Sequence, residues 1–393
     1  MRSFRIGSAF GIPIRLDLTF LLVLPLFAWL IGSQVEGILP LLNELPAEDL
    51  ALDALGRSPT RWLLGLAAAL GLFAGVVLHE LGHSLVARSF GYPIESITLW
   101  LFGGIARLEE LPEDWKQELA IALAGPAVSV VLGLLVYVPF AVLPAGQNGL
   151  RFVLGYLAVL NVALAVFNLL PAFPMDGGRV LRAVLGRWWP YARATQIAAE
   201  VGKLFAILFG LVGLFGGNLI LIGIAFFVYI GAAGEAQQVT IRAAFEDVAV
   251  ADIMTPTGEL DTVVPGDSVA DLVERMFRER HTGYPVMENG HPVGMVTLDD
   301  ARGVDPVERE AYTVDDVMTD ELVTVAADAP VVDALDLMQN EGVGRLLVLD
   351  GDELAGLISR TDVMHALDVV KSAGQAVPER VGEAGRPAPR RPR

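Results

Sequence analysis

Cysteine is absent from the 393 residues, and histidine occurs only five times. Without cysteine there is no disulfide, no thiolate zinc ligand and no cysteine nucleophile, so a metal site would have to use histidine and carboxylate side chains. Charge is also scarce, because 19% of the residues are charged and 53% are hydrophobic. With a mean hydropathy of +0.53, this composition is unlike that of an ordinary soluble protein and indicates membrane spans.

The few charges are distributed unevenly along the chain. Residues 246–370 contain 28 Asp and Glu, seven Arg and no Lys, a net charge of −21 within a chain total of −18. The remainder is therefore mildly basic. We interpret the acidic part as a solvated surface. Nucleic acid is not expected as a partner, because no strongly basic segment is available to neutralise its phosphates.

Apolar runs predict the membrane spans, at about 17–35, 62–88, 117–143, 152–170, 197–215 and 218–234. At ~1.5 Å per residue, each is long enough or nearly so to cross a ~30 Å hydrocarbon layer. We predict six spans, of which the first is uncleaved and the last two form a tight helical hairpin. Basic residues precede the first span (Arg5) and lie between the second and third spans (Arg88) and between the fourth and fifth (Arg182). The positive-inside rule then places both termini in the cytoplasm.

The second half of the chain contains an internal repeat. "DIMTPTGELDTVVPGDSVADLVERMF" at 252–277 is echoed by "DVMTDELVTVAADAPVVDALDLM" at 316–338. We predict two β-α-β-β-α units there, at 245–305 and 312–370. The part before them, 1–240, is the predicted membrane domain. The Pro- and Arg-rich tail, 371–393, is predicted to be disordered.

Three ionisable residues interrupt the second apolar run in the pattern HELGH. On a helix, His79 and His83 lie one turn apart on the same side, with Glu80 displaced by about 100° around the axis. This spacing suits two zinc ligands and a glutamate beside the open position of the metal. A chance match is the alternative, but such groups are costly within a span unless a divalent cation compensates them.

A catalytic zinc site usually has a third protein ligand, and Asp176 is the obvious source. It is the only acidic residue over 119–199 and ends the segment "NLLPAFPMD" that follows the fourth apolar run. The fourth span runs in the same direction as the second, so Asp176 reaches the depth of the histidines. A helix-terminal cap is the alternative role. We predict that His79, His83 and Asp176 bind one zinc ion per chain.

The two segments together resemble the site-2 protease family of intramembrane zinc metalloproteases. The family motifs are H-E-x-x-H and N-x-x-P-x-x-x-L-D-G, and the second is matched from Asn168 with Met175 in the leucine place. The resemblance covers about residues 10–235. It implies that Glu80 is the general base and that Asn168 holds the substrate or its oxyanion.

The resemblance has further implications for structure and partners. "LWLFGGIARL" at 99–108 is similar to the re-entrant β-hairpin of the family, which presents substrate as an added strand. "AGPAVS" at 124–129 is similar to a Gly-Pro feature of its third span. The implied partners are the lipid bilayer and membrane-anchored protein substrates, such as an anti-sigma factor or a signal-peptide remnant.

The internal repeat resembles a pair of CBS domains, modules named after cystathionine beta-synthase. The matching pattern reads "GMVTLDD" at 294–300 and "GLISRTD" at 356–362. The resemblance implies an adenine nucleotide, with Thr297 and Ser359 at its phosphates and Asp300 and Asp362 at its ribose hydroxyls. The same residues can form capping boxes that begin helices, so a purely structural or dimerising pair is the alternative.

The predicted fold is an α-helical polytopic membrane domain of about six spans with a re-entrant β-hairpin, followed by a cytoplasmic α/β tandem CBS module. The predicted function is that of a zinc metalloendopeptidase of membrane-anchored substrates, regulated through the CBS pair. Two other classes stay open: a CBS-gated ion or metal transporter that uses the His/Asp cluster as an ion site, and a catalytically silent membrane scaffold. A homodimer through the CBS domains is compatible with each.

Overall fold

The chain divides into two compact units between Val239 and Thr240. The structure is a computed structural model. It describes residues 3–44, 50, 55, 59–100, 103–108, 112, 114–144, 146–245, 248–351 and 353–375. Of the predicted tail, 371–393, residues 376–393 lie outside the described part.

The membrane part is built mainly from helices: α1 (Phe20–Ser33), α2 (Val35–Asn43), α3 (Thr60–Ser89), α4 (Trp115–Val142), α5 (Asn148–Asn168), α6 (Asp176–Leu185), α7 (Tyr191–Phe215) and α8 (Leu219–Ala244). Among the described residues, five helices (α3, α4, α5, α7 and α8) are long and apolar enough to cross a membrane. The pair α1–α2 makes a sixth if it is counted as one broken span. Large apolar side chains such as Leu135 and Phe215 are exposed along these helices, as contact with lipid requires. The predicted polytopic fold is confirmed.

The first predicted span differs from a simple helix at both ends. Before it, the Asp17 carboxylate accepts hydrogen bonds from the main-chain N–H and the hydroxyl of Thr19, which starts α1. After Ser33 the chain bends by 64° into α2. Helix α2 therefore continues past residue 35, where the first apolar run was predicted to end.

A four-stranded sheet packs against α3, in the order β1 (Ser3–Ala9), β2 (Ile12–Asp17), β3 (Ile94–Trp100) and β4 (Gly103–Leu108). The pair β2–β3 is parallel and the other two pairs are antiparallel. Ile97 packs with Leu81 and Leu99 packs with Phe73. Because Phe73 and Leu81 are about 12 Å apart along a helix, β3 runs back along the apolar length of α3. The sequence analysis predicted the β3–β4 hairpin but missed β1 and β2.

The second unit contains both predicted repeats. The first repeat comprises α10 (Val269–Glu279), β6 (Gly283–Glu288), β7 (His291–Thr297) and α11 (Leu298–Arg302). The second comprises β8 (Thr324–Ala326), α13 (Val331–Asn340), β9 (Arg345–Asp350), β10 (Glu353–Ser359) and α14 (Arg360–Gln375).

Three short elements precede the two repeats. The first repeat follows α9 (Val250–Ile253) and β5 (Thr255–Pro256), and the second repeat follows α12 (Val314–Val317). A parallel bridge from Val263 to Val286 takes the place of a first strand in the first repeat. The α/β pair is confirmed.

Each repeat pairs with the segment that precedes the other one. Strand β5 lies beside β10 of the second repeat, and Thr319 bridges to Met295 of the first repeat. A Cβ at Gly294 would overlap the Met318 side chain, and a Cβ at Gly356 would overlap the Thr255 carbonyl. Glycine therefore recurs at the same place in both repeats, where the segment that precedes the other repeat approaches closely.

Candidate metal centre

Helices α3 and α4 approach closely around the HELGH segment. A Cβ at Gly82 would lie only 2.8 Å from Val128 Cγ2 and 3.0 Å from the Ala124 carbonyl oxygen. Small residues at such a contact let the backbones of two membrane helices come together. The close approach brings polar groups of α4 within hydrogen-bond distance of the histidines on α3.

The structure brings together His79, His83 and Asp176, the three residues predicted to bind zinc. Asp176 Oδ2 lies 3.1 Å from His79 Nε2 and 3.2 Å from His83 Nε2, and the two Nε2 atoms are 3.2 Å apart. Both histidines are buried, and the Asp176 side chain is 12% exposed. Asp176 is the first residue of α6, but its carboxylate faces the imidazoles. The Pro- and Gly-rich turn between α5 and α6 delivers it there.

These distances fit a zinc ion. Ligand atoms at about 2.0–2.1 Å from a tetrahedral zinc lie about 3.3 Å from one another. The His83 Nδ1–H donates to the Ile121 carbonyl oxygen at 2.7 Å, so His83 Nε2 carries a lone pair in the neutral ring. That lone pair points at a carboxylate oxygen and a second ring nitrogen. A cation among the three atoms relieves this repulsion, and the donor set of two imidazoles and one carboxylate is typical of catalytic zinc.

The other ring nitrogen of His79 also contacts α4. His79 Nδ1 lies 2.9 Å from the hydroxyl of Ser129, which is fully buried. Between the two contacts stands Gly125, where a Cβ would overlap the Nε2 atoms of both histidines. On one face of α4, the Ile121 carbonyl and the Ser129 hydroxyl therefore contact the two histidines, and Gly125 leaves room for their rings.

Glu80 lies beside the edge strand of the sheet. A Cβ at Gly104 on β4 would overlap the Glu80 side chain, so the glycine leaves room for the carboxylate. Among the described residues, β4 pairs with β3 alone and its other edge carries no strand.

Asn168 is the last residue of α5, half-buried and eight residues before Asp176. The described residues give its side chain no hydrogen bond to the histidines or to Asp176. Its role in holding substrate stays a prediction.

A buried ion-pair network holds α6, the helix that begins with Asp176. Arg182 on α6 donates to Glu118 on α4 at 2.6 Å and to Glu235 on α8 at 2.7 Å. Arg182 and Glu118 are 3% and 5% exposed. The guanidinium also lies over the rings of Phe173 and Tyr191, 5.1 and 4.7 Å from their centroids. Arg182 lies between the fourth and fifth spans as predicted, but its side chain is buried between helices and does not face solvent.

Replacing Arg182 with methionine is expected to destabilise the membrane unit. The change leaves Glu118 buried without its cation, and breaking a buried pair in this way typically costs about 3–5 kcal/mol. Unfolding in mixed detergent and SDS micelles measures the loss. The control is Arg179→Met, an exposed arginine on the same helix. Equal stability of the two variants would show that the network does not hold α6.

The four residues predicted to bind nucleotide form helix caps in the second unit. Asp300 Oδ2 accepts from the N–H and hydroxyl of Thr297, both at 2.7 Å. Asp362 Oδ2 accepts from Ser359 in the same way, at 2.8 and 2.7 Å. The capping-box interpretation therefore describes these contacts, and the nucleotide role stays a prediction.

Arg345 lies between the two repeats. Its guanidinium donates to the Thr282 hydroxyl of the first repeat at 2.9 Å. Burial lowers the pKa of Arg345, although the nearby Asp362 carboxylate opposes that shift. A cation is thus held close to one of the predicted ribose-binding carboxylates.

A second group of residues with side chains that could bind a metal, Asp261, Glu279 and His281, occurs in the first repeat. Arg275 contacts both of its carboxylates, at 3.0 Å for Glu279 and 3.8 Å for Asp261. The guanidinium already compensates the negative charge, so we interpret this group as an ion-pair cluster.

The residues of α4 that surround His79 and His83 were not predicted from the sequence. Ser129, Gly125 and Ile121 recur every four positions on α4, which places them on one face of the helix. The motif "AGPAVS" contains two of them, but nothing in it indicates the histidines. Glu118 gave a stronger signal, because a carboxylate within an apolar run needs a partner.

Both units of the chain are similar to known proteins. The family model described as Peptidase family M50 matches residues 67–146 and 142–209, and the CBS domain model matches 250–305 and 314–369. Zinc metalloprotease MJ0392 of Methanocaldococcus jannaschii is 36% identical over 369 residues, which cover 94% of this chain and 97% of that protein.

Two solved structures are also similar to parts of the chain. The site-2 protease from Methanocaldococcus jannaschii is 37% identical with a TM-score of 0.43, and the match covers 60% of this chain and 95% of that one. CBSX2 of Arabidopsis thaliana, solved in complex with AMP, is 30% identical with a TM-score of 0.29, and covers 31% of this chain and 98% of that one.

Proposed function

Since the chain belongs to the site-2 protease family of intramembrane zinc metalloproteases with tandem CBS domains, we propose that it hydrolyses peptide bonds in or near the membrane segments of membrane-anchored proteins. Its class, a multi-pass membrane zinc metalloprotease, follows from that membership. The transporter and scaffold alternatives are set aside on the same ground. The substrate class and the roles of individual residues are the proposed part.

The observation that carries the proposal is the convergence of His79 Nε2, His83 Nε2 and Asp176 Oδ2 to within 3.1–3.2 Å of one another. They come from two helices that are far apart in the sequence. We assign these three atoms as the zinc ligands. When bound, zinc supplies a Lewis acid that polarises the scissile carbonyl and makes water more acidic.

Glu80 is proposed as the general base. It adjoins His79 on α3 but points elsewhere, towards Gly104 of the edge strand. Its carboxylate can accept a proton from the attacking water and return it to the leaving amine. Asn168 is proposed to hold the substrate carbonyl or its oxyanion, on the strength of the motif alone.

The edge of β4 is proposed as the substrate-binding strand. A substrate helix in a bilayer shields its carbonyls by internal hydrogen bonds, so the segment must unwind before attack. An unwound segment can regain those bonds by pairing with an open strand edge. Because Gly104 adjoins Glu80, pairing there would place the scissile bond beside the base.

The CBS pair is proposed to regulate the protease by binding an adenine nucleotide. Thr297, Ser359 and the helix N-termini that they cap would face the phosphates. Asp300 and Asp362 each keep a second carboxylate oxygen for a ribose hydroxyl, since the cap bonds engage Oδ2. We also propose that this unit and both termini are cytoplasmic, following the basic connections of the membrane part.

Co-expression with a panel of single-span membrane proteins tests the proposed function. The wild type is compared with Glu80→Gln in the same membranes. We expect shortened fragments of one or more substrates with the wild type and intact substrates with the variant. Zinc flux into liposomes without any proteolysis would contradict the proposal and favour a transporter.

A further inference from the structure

The proposed zinc site has an outer layer that neither sequence motif contains, and one face of α4 supplies it. Ile121, Gly125 and Ser129 are spaced by four residues and therefore follow one another along that face. The Ile121 carbonyl oxygen accepts from His83 Nδ1 at 2.7 Å, and the Ser129 hydroxyl lies 2.9 Å from His79 Nδ1. Each ligand histidine thus has its second ring nitrogen engaged by α4.

We propose that Ser129 is a positioning residue that holds the His79 ring in the orientation in which Nε2 faces Asp176 and His83. A neutral imidazole carries one proton, and a cation bound through the Nε2 lone pair would leave that proton on Nδ1. A serine hydroxyl can donate or accept a hydrogen bond, so in that state it can accept from Nδ1–H and hold the ring in place. With Nδ1–H donated to the Ser129 hydroxyl, the lone pair of His79 is on Nε2, the atom that faces Asp176 and His83. The inference rests on the proposed zinc site and extends it to a fourth residue.

The two histidines are held by different kinds of group. A main-chain carbonyl can only accept a hydrogen bond, so it fixes His83 whatever the side chain at 121. His79 depends instead on a side chain, and that side chain is buried at the depth of the spans. Water is scarce there, so it would not readily replace a lost hydroxyl. A single side-chain substitution can therefore remove the hydrogen bond that orients His79, whereas the hydrogen bond that orients His83 would remain.

Zinc affinity of the purified full chain tests the inference without reference to proteolysis. Chelator-stripped protein is titrated with Zn²⁺ against a competing chelator. Ser129→Ala is expected to raise the Kd for zinc by about 10–100-fold, the usual effect of losing such a partner. Ser129→Thr and Ser129→Val have nearly the same shape, so comparing them isolates the hydroxyl from packing. We expect the threonine variant to bind zinc more tightly than the valine variant by a similar factor.

Ser84 provides a matched control. It is a fully buried serine next to His83, and its hydroxyl has no hydrogen-bond partner within the described part of the chain. Ser84→Ala should leave the Kd for zinc unchanged. Equal affinities of the threonine and valine variants would overturn the role of Ser129, and so would an equal loss in Ser84→Ala. A failure of the proposed protease function would instead appear as zinc binding without substrate cleavage.

Discussion

Glu80→Gln is expected to abolish measurable proteolysis while zinc stays bound. Glutamine keeps the size of the side chain and its contact with Gly104 but does not accept a proton at neutral pH. General-base catalysis typically contributes about 10²–10⁴-fold to a rate, so kcat should fall by that factor. The zinc ligands assigned here do not include Glu80, and the Kd for zinc should therefore change little. The measurement is the initial rate of fragment formation with purified enzyme and a reconstituted substrate, together with the zinc content of the same preparation.

Two outcomes of that experiment would count against the assignment. A variant that retains a rate close to that of the wild type would show that another group accepts the proton. A variant that loses zinc along with activity would place Glu80 among the ligands. Glu95→Gln, an exposed glutamate at the start of β3, serves as the control for removing a carboxylate from the same unit.

Gly125→Ala is expected to disrupt the metal centre more than any other single-methyl change on α4. The added Cβ would overlap the Nε2 atoms of both His79 and His83, the two nitrogens assigned to zinc. Either the imidazoles or α4 must move, and misplacing catalytic groups by about 1 Å can cost 10²-fold in rate. We expect zinc affinity and proteolysis to fall together by about that factor or more. Equilibrium titration with Zn²⁺ and the initial rate of cleavage measure the two effects.

The control for Gly125 is a glycine in an open position on another span. A Cβ at Gly223 on α8 meets no atom within 4 Å. Gly223→Ala should therefore bind zinc and cleave substrate like the wild type, and alanine also favours the helix slightly. Wild-type zinc affinity in Gly125→Ala would mean that the imidazoles have more room than the structure gives them.

The convergence of His79, His83 and Asp176 could be predicted from the sequence because its constraints are local or few. The i, i+4 spacing of His79 and His83 fixes their common side on any helix. Asp176 could be chosen as the third member because it is the only residue with a carboxylate side chain over 119–199. The repeat in the second unit was predictable for a similar reason, because two copies of one pattern reveal a β-α-β-β-α unit that a single copy leaves ambiguous.

The remaining features depend on contacts between distant segments, which periodicity does not encode. Strands β1 and β2 form a sheet with β3, and no short-range signal predicts a parallel pairing between Arg15 and Thr98. The ion pairs of Arg182 join three helices. The contact between the Ser129 hydroxyl and His79 arises only because α4 packs against α3, and that packing is not visible in the sequence.

The zinc environment itself is the most direct measurement of the proposed centre. X-ray absorption of the purified wild type, with metal analysis, should find one zinc per chain with nitrogen and oxygen ligands at about 2.0–2.1 Å and the scattering pattern of imidazole. Asp176→Ala should weaken zinc binding strongly, because it removes one of the three assigned ligands. Wild-type protein without stoichiometric zinc, or an Asp176→Ala variant with an unaltered zinc spectrum and affinity, would contradict the assignment of His79, His83 and Asp176 as the ligands.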